Sequence, residues 1–294
     1  MDNRDEVSAF LRSRRDKITP EQAGMPVYGQ RRVPGLRRGE VAALAGVSVE
    51  YYTRLERGNL RGASDSVLDA LAKALCLDDT ERMHLYDLAR AAGPAPRART
   101  KQRRNEPVVR PSMARIIEGM PQLPAFVKNE RLDTLAANPL GRALFAPMYA
   151  DPVYGANSAR FAFLSPEARH FYTDWERVTH EAVGVLRIAA GKNPYDRELS
   201  DLIGELSTRS DTFRTLWGSH DVHVFREGTK RLRHPVVGDL ALEHETMLLP
   251  DENGLSVVVY SAPPGSPTED ALKLLSSWSA TAGQEQNTDI ASTN

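Results

Sequence analysis

The stretch Leu36–Gly58, LRRGEVAALAGVSVEYYTRLERG, restricts this chain more than any other. Apolar residues recur at Val41, Ala45, Val47, Tyr52 and Leu55, where two short helices crossing at a steep angle must pack. Ala42 is small where those helices come closest. Gly46 falls between them, where a residue without a Cβ adopts the left-handed conformation freely. Ser48 can cap the second helix by accepting from an unpaired backbone N–H, and Gly58 falls where a helix C-terminus favours glycine. The pattern predicts a helix-turn-helix whose second helix enters the major groove of duplex DNA while the first crosses the phosphate backbone.

That geometry assigns roles to residues. Ser48, Val49, Glu50 and Arg54 project from the exposed side of the second helix. Arg54 can take guanine through O6 and N7, Glu50 can accept from a cytosine amino group, and Val49 can meet a thymine methyl. Glu50 can instead pair with Arg54 one turn along. Arg57, near the last turn, is placed for phosphate. Arg31, Arg32, Arg37 and Arg38 precede or open the first helix as a phosphate clamp, with Arg38 aided by the partial positive charge of the helix N-terminus. Tyr52 and Leu55 face inward.

Charge distribution agrees. The net charge of −1 is the sum of unlike halves: residues 1–105 carry 20 basic and 14 acidic side chains, the remainder 18 and 25. A basic segment joined to an acidic one suggests that one part faces phosphate and the other does not. With 41% hydrophobic and 26% charged residues, the composition is that of a globular chain. No apolar run approaches the roughly 20 residues that span a bilayer, and the charged N-terminus lacks a signal-peptide core, so a cytoplasmic location is expected. Cys76, the single cysteine, excludes an internal disulfide and a cysteine-based metal cage. It falls on a predicted apolar helix face and is expected to be buried.

The expected organisation has four parts. Residues 1–92 form an all-α bundle. Val7, Phe10 and Leu11 line its first helix, and Ser64 caps a fourth helix. Asp78 and Glu81 form a capping box opening a fifth, with Met83, Leu85, Tyr86 and Leu88 expected on its buried side. Residues 93–107 are a basic, proline-rich linker. Residues 108–280 form an α+β domain. PAFVKNERLDTLAAN suits a hairpin, NPLGRALF a short helix, and SPEARHFYTDWERVTHEAVGVLRIAAG one long helix, with one or two helices following. A period of two begins at Lys230, LSVVVYSA reads as a strand, and SPTEDALKLLSSW as a capped helix. Residues 281–294 are expected to fray.

These segments, in this order, resemble the MmyB-like transcriptional regulators, which join a Cro/C1-type (Xre) helix-turn-helix to a C-terminal ligand-binding domain of PAS-like shape. The resemblance is carried by FLRSRRDKITPEQAG, RRVPGLRRGEVAALAGVSVEYYTRLERG and VLDALAKALCLDDTERMHLYDLA, then by PAFVKNERLDTLAAN, TDWERVTHEAVGVLR, ELSTRSDTFRTLWGSHDV, KRLRHPVVGDLALEHETM and SAPPGSPTEDALKLLSSW. It implies a two-domain fold: an all-α helix-turn-helix bundle, then a PAS-like domain with an antiparallel sheet and helices. It also implies a DNA-binding regulator with a small apolar effector, a fatty acid being the suggested class. Gly39 departs from the family's usual acid and Ala63 from a proline before the fourth helix. A two-fold homodimer on a near-palindromic operator follows from the way such motifs dock.

The second domain offers Phe171, Trp175, Val178, Leu186, Leu216 and Trp217 as apolar lining for a ligand, and Arg187, Arg214 or His220 as the cation for an acid headgroup. Two other readings compete. The second domain could serve only to dimerise or dock a protein partner, or the chain could be an enzyme with a DNA-binding appendage. His170, His180, His220, His223, His234 and His244 are scattered, and HExxH, GxSxG and a phosphate-cradling glycine loop are missing, so no catalytic residue, metal ligand or cofactor is assigned.

Overall fold

The predicted corner is built by its glycines. In this computed structural model the described residues are 3–25, 31, 33–93, 108–221, 227–249 and 254–291. The linker residues 94–107 lie outside them. Helices α1 (Asn3–Lys17), α2 (Arg38–Leu44), α3 (Val49–Glu56), α4 (Asp65–Ala74) and α5 (Asp79–Ala91) come first. Gly46 has φ +66°. The Val47 amide donates to the Ala42 carbonyl and the Gly46 amide to that of Ala43, which closes α2 with a Schellman motif. Ser48 Oγ then accepts from the Tyr51 amide at 3.0 Å and opens α3. Gly58, at φ +90°, closes α3, and a Cβ there would stand 2.3 Å from the Arg4 carbonyl oxygen. Glycine at 58 is thus demanded twice, by backbone conformation and by the close approach of α1.

The remaining elements are α6 (Pro111–Glu118), β1 (Ala125–Lys128), β2 (Thr134–Ala137), α7 (Pro139–Leu144), α8 (Ala146–Tyr149), α9 (Ser158–Leu164), α10 (Ala168–Phe171), α11 (Trp175–Lys192), α12 (Arg197–Arg209), α13 (Asp211–Gly218), β3 (Glu227–His234), β4 (Gly238–Leu248), β5 (Ser256–Ser261) and α14 (Pro267–Ala291). The chain divides into two compact units, one of residues 1–102 and 183–224, the other of residues 103–182 and 225–294. Residues 183–224, expected from sequence within the second domain, belong to the first unit.

In the first unit Val7, Phe10, Leu11, Leu36, Tyr52, Leu55, Leu71, Leu75 and Leu85 are fully excluded from solvent. The capping box on α5 forms as predicted: the Glu81 amide donates to Asp78 at 2.8 Å and the Asp78 amide to Glu81 at 3.1 Å. The buried face of α5 is Glu81, His84, Leu85 and Leu88. Met83, expected inside, is exposed, because the three-to-four spacing that buries 81, 84, 85 and 88 turns it outward. Cys76 is also exposed, against expectation. The helix α4 ends two residues earlier, and Cys76 occupies its left-handed terminating position with φ +47°. The Leu77 amide donates to Ala72 and the Cys76 amide to Lys73. This is the closure seen at Gly46, made here by a residue with a side chain.

In the second unit the described strands form one antiparallel sheet in the order β2-β1-β5-β4-β3. The predicted hairpin is β1–β2, in which Lys128 pairs with Thr134 past a register shift. The period-two segment is the β3–β4 ladder, Glu227↔Glu245 through His234↔Gly238. One core contains Phe126, Phe145, Phe161, Phe171, Tyr172, Leu232, Leu242, Tyr260 and Leu275. A smaller cluster joins Ile117 of α6 and Leu255 to Ala125, Val127 and Val257, which occupy the alternate strand positions.

The single helix expected over 165–191 is instead broken. Tyr172 makes an isolated bridge to Leu232, and the Thr173 amide donates to the Arg231 carbonyl at 3.3 Å. Pairing with β3 takes these residues out of the helical ladder between α10 and α11. The last helix runs past residue 280, where fraying was expected. Extending a docked helix fixes one residue per added hydrogen bond, and Ala, Gln and Glu recur in this tail.

Candidate nucleic-acid interface and ligand-binding unit

The outward side of α3 is the site the sequence selects. Val49, Glu50, Arg54 and Arg57 are exposed, whereas Tyr52 and Leu55 are buried. The Arg54 guanidinium stacks 4.7 Å from the Tyr51 ring centre. A shallow groove along this side is lined by Arg4, Val49, Glu50, Thr53, Arg54, Arg57 and Asn59. Arg4, Thr53 and Asn59 are additions to the sequence-derived set. The glycine at 58 carries the signal for Arg4, since it marks the contact between α3's end and α1's start.

The basic cluster before α3 is partly occupied by structural work. Arg31 grips Glu40 with two parallel hydrogen bonds, Nη1 to Oε1 and Nη2 to Oε2, each 2.8 Å. Those bonds hold the Glu40 carboxyl at a pKa of about 2. Glu40 also accepts from the Arg37 amide at 2.6 Å, anchoring the first turn of α2. Arg37 itself is exposed. Arg38 donates through Nε to Glu56, and its side chain remains 45% exposed. Glu56 is fully buried. Burial opposes its charge, but hydrogen bonds from Arg15, at 2.6 Å, and from Arg38 outweigh that and lower its pKa. The same burial raises Tyr52, whose hydroxyl donates to Glu56 at 3.3 Å. Arg38 is therefore held at the N-terminus of α2 by an internal acid, with half its surface facing outward. Arg32 lies outside the described residues.

The nine candidate ligand residues fall into two groups. Phe171 and Val178 are in the larger core of the second unit. Trp175 packs against that core while donating to the Ala162 carbonyl at 2.8 Å. Leu186, Arg187, Arg214, Leu216, Trp217 and His220 belong to the first unit. Arg187, wholly excluded from solvent, is bound to Glu6 at 2.5 Å, to the Trp217 carbonyl and to His220 Nδ1 at 2.9 Å. Its guanidinium lies 4.2 Å from the Trp217 ring centre. Arg214 is exposed and paired with Asp211 at 2.5 Å. Of the three cations expected from sequence to hold an acid headgroup, none lies in the unit that contains the sheet.

Among the described residues of that unit, one lysine is buried and another partly so. Lys128, on β1, is 9% exposed. Its ammonium donates to Ser158 Oγ at 2.8 Å and lies 5.5 Å and 5.7 Å from the ring centres of Phe126 and Phe145. Lys230, on β3, is 3.4 Å from Glu181. Sequence reasoning passed over both, because each sits in a polar-looking strand position and burial of a lysine has no local signature. His234 Nε2 is 3.1 Å from the Ala143 carbonyl while its Nδ1 accepts from Val236, and His244 Nδ1 is 2.9 Å from the Gly228 carbonyl. Among the described residues, no group of three or more His, Cys, Asp or Glu could hold a metal ion, and no helix is long and apolar enough to cross a membrane.

A helix-turn-helix with an outward reading face, followed by an antiparallel sheet packed with helices, defines a two-domain, ligand-responsive DNA-binding regulator. Residues 6–85 match a helix-turn-helix domain, and residues 109–275 match the MmyB-like transcription regulator ligand binding domain. The chain belongs to the MmyB-like transcription regulators. No curated protein matches it.

Proposed function

We propose that this chain binds a specific operator as a homodimer through α3 and changes its hold on that operator when a small apolar acid, such as a fatty acid, enters the second domain. Residues 1–92 read DNA in this account, residues 108–280 sense the effector and pair two copies, and the protein acts in the cytoplasm. The observation that carries the reading is the outward face of α3: a capped helix start followed by Val49, Glu50 and Arg54, all exposed beside Arg57. Short polar and apolar side chains at the leading end suit base edges, and the flanking arginines suit phosphate. Arg37 and the exposed half of Arg38 extend the phosphate-facing set.

Regulation requires the effector to favour one state of the protein; equal affinity for both changes nothing. The decisive experiment is selection of bound sequences from random duplex DNA, with and without a long-chain acid. An enriched near-palindrome with half-sites about one helical turn apart is expected, its occupancy shifting with the acid. Absence of any enriched motif overturns operator binding. A motif whose occupancy ignores acids of every chain length leaves the second domain as a dimerisation or partner-docking module.

A further inference from the structure

A lysine buried without a counter-charge is costly, because its ammonium loses water and gains no ion pair. Among the described residues, Lys128 is in that position. Its hydrogen bond goes to a neutral hydroxyl, Ser158 Oγ, at 2.8 Å. The partly buried Lys230 has its own acid in Glu181 at 3.4 Å and repels Lys128. Burial first, and then that facing charge, bring the Lys128 pKa down to about 7.

Hydroxyls surround the same position. Thr134 is the direct partner of Lys128 in the β1–β2 pairing, and such partners project to one face of a sheet. Thr134 Oγ1 is buried, with no hydrogen bond to the backbone or to a charged group among the described residues. The Tyr149 hydroxyl, on α8, is likewise buried, and these two hydroxyls face each other as hydrogen-bonding neighbours. The surrounding walls are apolar: Phe126, Phe145 and Met148 all belong to the large core. One ammonium and three hydroxyls, of which Ser158 also donates to Met148 Sδ at 3.9 Å, are set among aromatic and thioether groups, with no acid paired to the ammonium among the described residues.

We infer that Lys128, with the hydroxyls of Ser158, Thr134 and Tyr149, is the subsite that takes the carboxylate of an apolar acid, whose hydrocarbon chain lies against Phe126, Phe145 and Met148. This rests on the proposed apolar-acid effector and names where its charged end is held. A carboxylate can accept up to about four hydrogen bonds, so its two oxygens can take the ammonium and draw the hydroxyls from their present weak partners. It also supplies the charge that Lys128 lacks.

The test uses the full chain and two matched ligand series, saturated fatty acids and the corresponding 1-alkanols from eight to eighteen carbons, with binding followed by calorimetry and native mass spectrometry. The acids should bind at least about tenfold tighter than alcohols of equal length. Lys128→Met should abolish that preference while leaving alcohol affinity unchanged, and Lys128→Gln provides a second, polar replacement. Ser158→Ala should weaken acids alone, by a smaller factor. Far-UV circular dichroism of each variant establishes that it is folded. Folded variants at Lys128 that keep the acid preference overturn this subsite and leave the effector class standing. Equal binding of acids and alcohols to the unmodified protein also overturns it. Binding of neither series overturns the apolar-acid effector together with its subsite.

Discussion

Glu6 and Arg187 are 181 residues apart in sequence, yet Oε1 of one lies 2.5 Å from Nη1 of the other with both side chains buried. The pair joins α1, the first helix of the DNA-binding bundle, to the end of α11. Arg14 extends the link by contacting Glu81, the His220 carbonyl at 2.8 Å and Asp221 at 3.2 Å. Lys17 also reaches Asp221. These contacts fasten the helices of residues 183–224 into the first unit.

Removing one member of this pair leaves the other charged and buried. Arg187→Met should destabilise the first unit by about 3–5 kcal/mol, and Glu6→Gln by a comparable amount. Replacing both with apolar residues of similar volume should cost much less than the two single changes added together. Denaturant melts of the four proteins of the double-mutant cycle measure this. Additive single effects would mean that the two charges do not act as a unit.

Acid should loosen the first unit in two stages. His84 is buried with neither ring nitrogen bonded, and burial is the main reason its pKa falls from 6.5 to about 4. Its depressed value means that the unfolded chain takes up the proton first. Stability is thus complete above pH 6.5 and declines towards pH 4, at up to about 1.4 kcal/mol per pH unit. Glu6 acts lower. Burial opposes its ionisation, but His220 and Arg187 hold its pKa at about 2 against an ordinary 4.5. Its contribution is lost between those values. His84→Leu should flatten the upper limb and spare the lower one in chemical melts at a series of pH values.

On DNA, Arg54→Ala should relax preference at one base position and weaken the specific site by about 1–3 kcal/mol. Equal losses on specific and random duplexes would exclude base readout. Arg37→Ala, at an exposed position, should weaken all sequences alike and lower the salt slope by about one unit. Arg38→Ala should do the same and also destabilise the fold by about 1–3 kcal/mol, because it strips Glu56 of one of its two arginines. Binding titrations over a salt series, beside thermal melts, separate the two effects.

Cys76→Gly should raise stability by about 1 kcal/mol, since the left-handed closure of α4 strains any residue with a Cβ. A thermal shift upward of a few degrees is expected. A decrease would mean that the contact between Cys76 Sγ and the Gln22 carbonyl, 3.8 Å apart, outweighs the strain.

The DNA-binding corner was legible because its signals are local. Gly46, Ser48, Gly58 and the Asp78–Glu81 box each satisfy backbone groups within a few residues, and each does so in the structure. The β1–β2 and β3–β4 hairpins were legible for the same reason. Long-range choices were not. Nothing beside Tyr172 in sequence announces its bridge to Leu232, so α10 and α11 read as one helix. Arg187 looks like a free cation on an amphipathic helix until Glu6 arrives from the other end of the chain. Lys128 is the converse case. It ends a short apolar strand like any surface lysine, and only the packing of Phe145 and Ser158 reveals that its ammonium is enclosed.

The allotment of residues 183–224 to the first unit matters for anyone recombining these regulators. A chimera joined at the proline-rich connector would graft a foreign reading head onto a body that still carries Arg187 and Asp221, while Glu6 and Arg14 departed with the discarded half. Such a hybrid inherits stranded charges on both sides of the splice. Transplants between family members should succeed when the helical excursion α12–α13 and the end of α11 travel with the head they were built to hold.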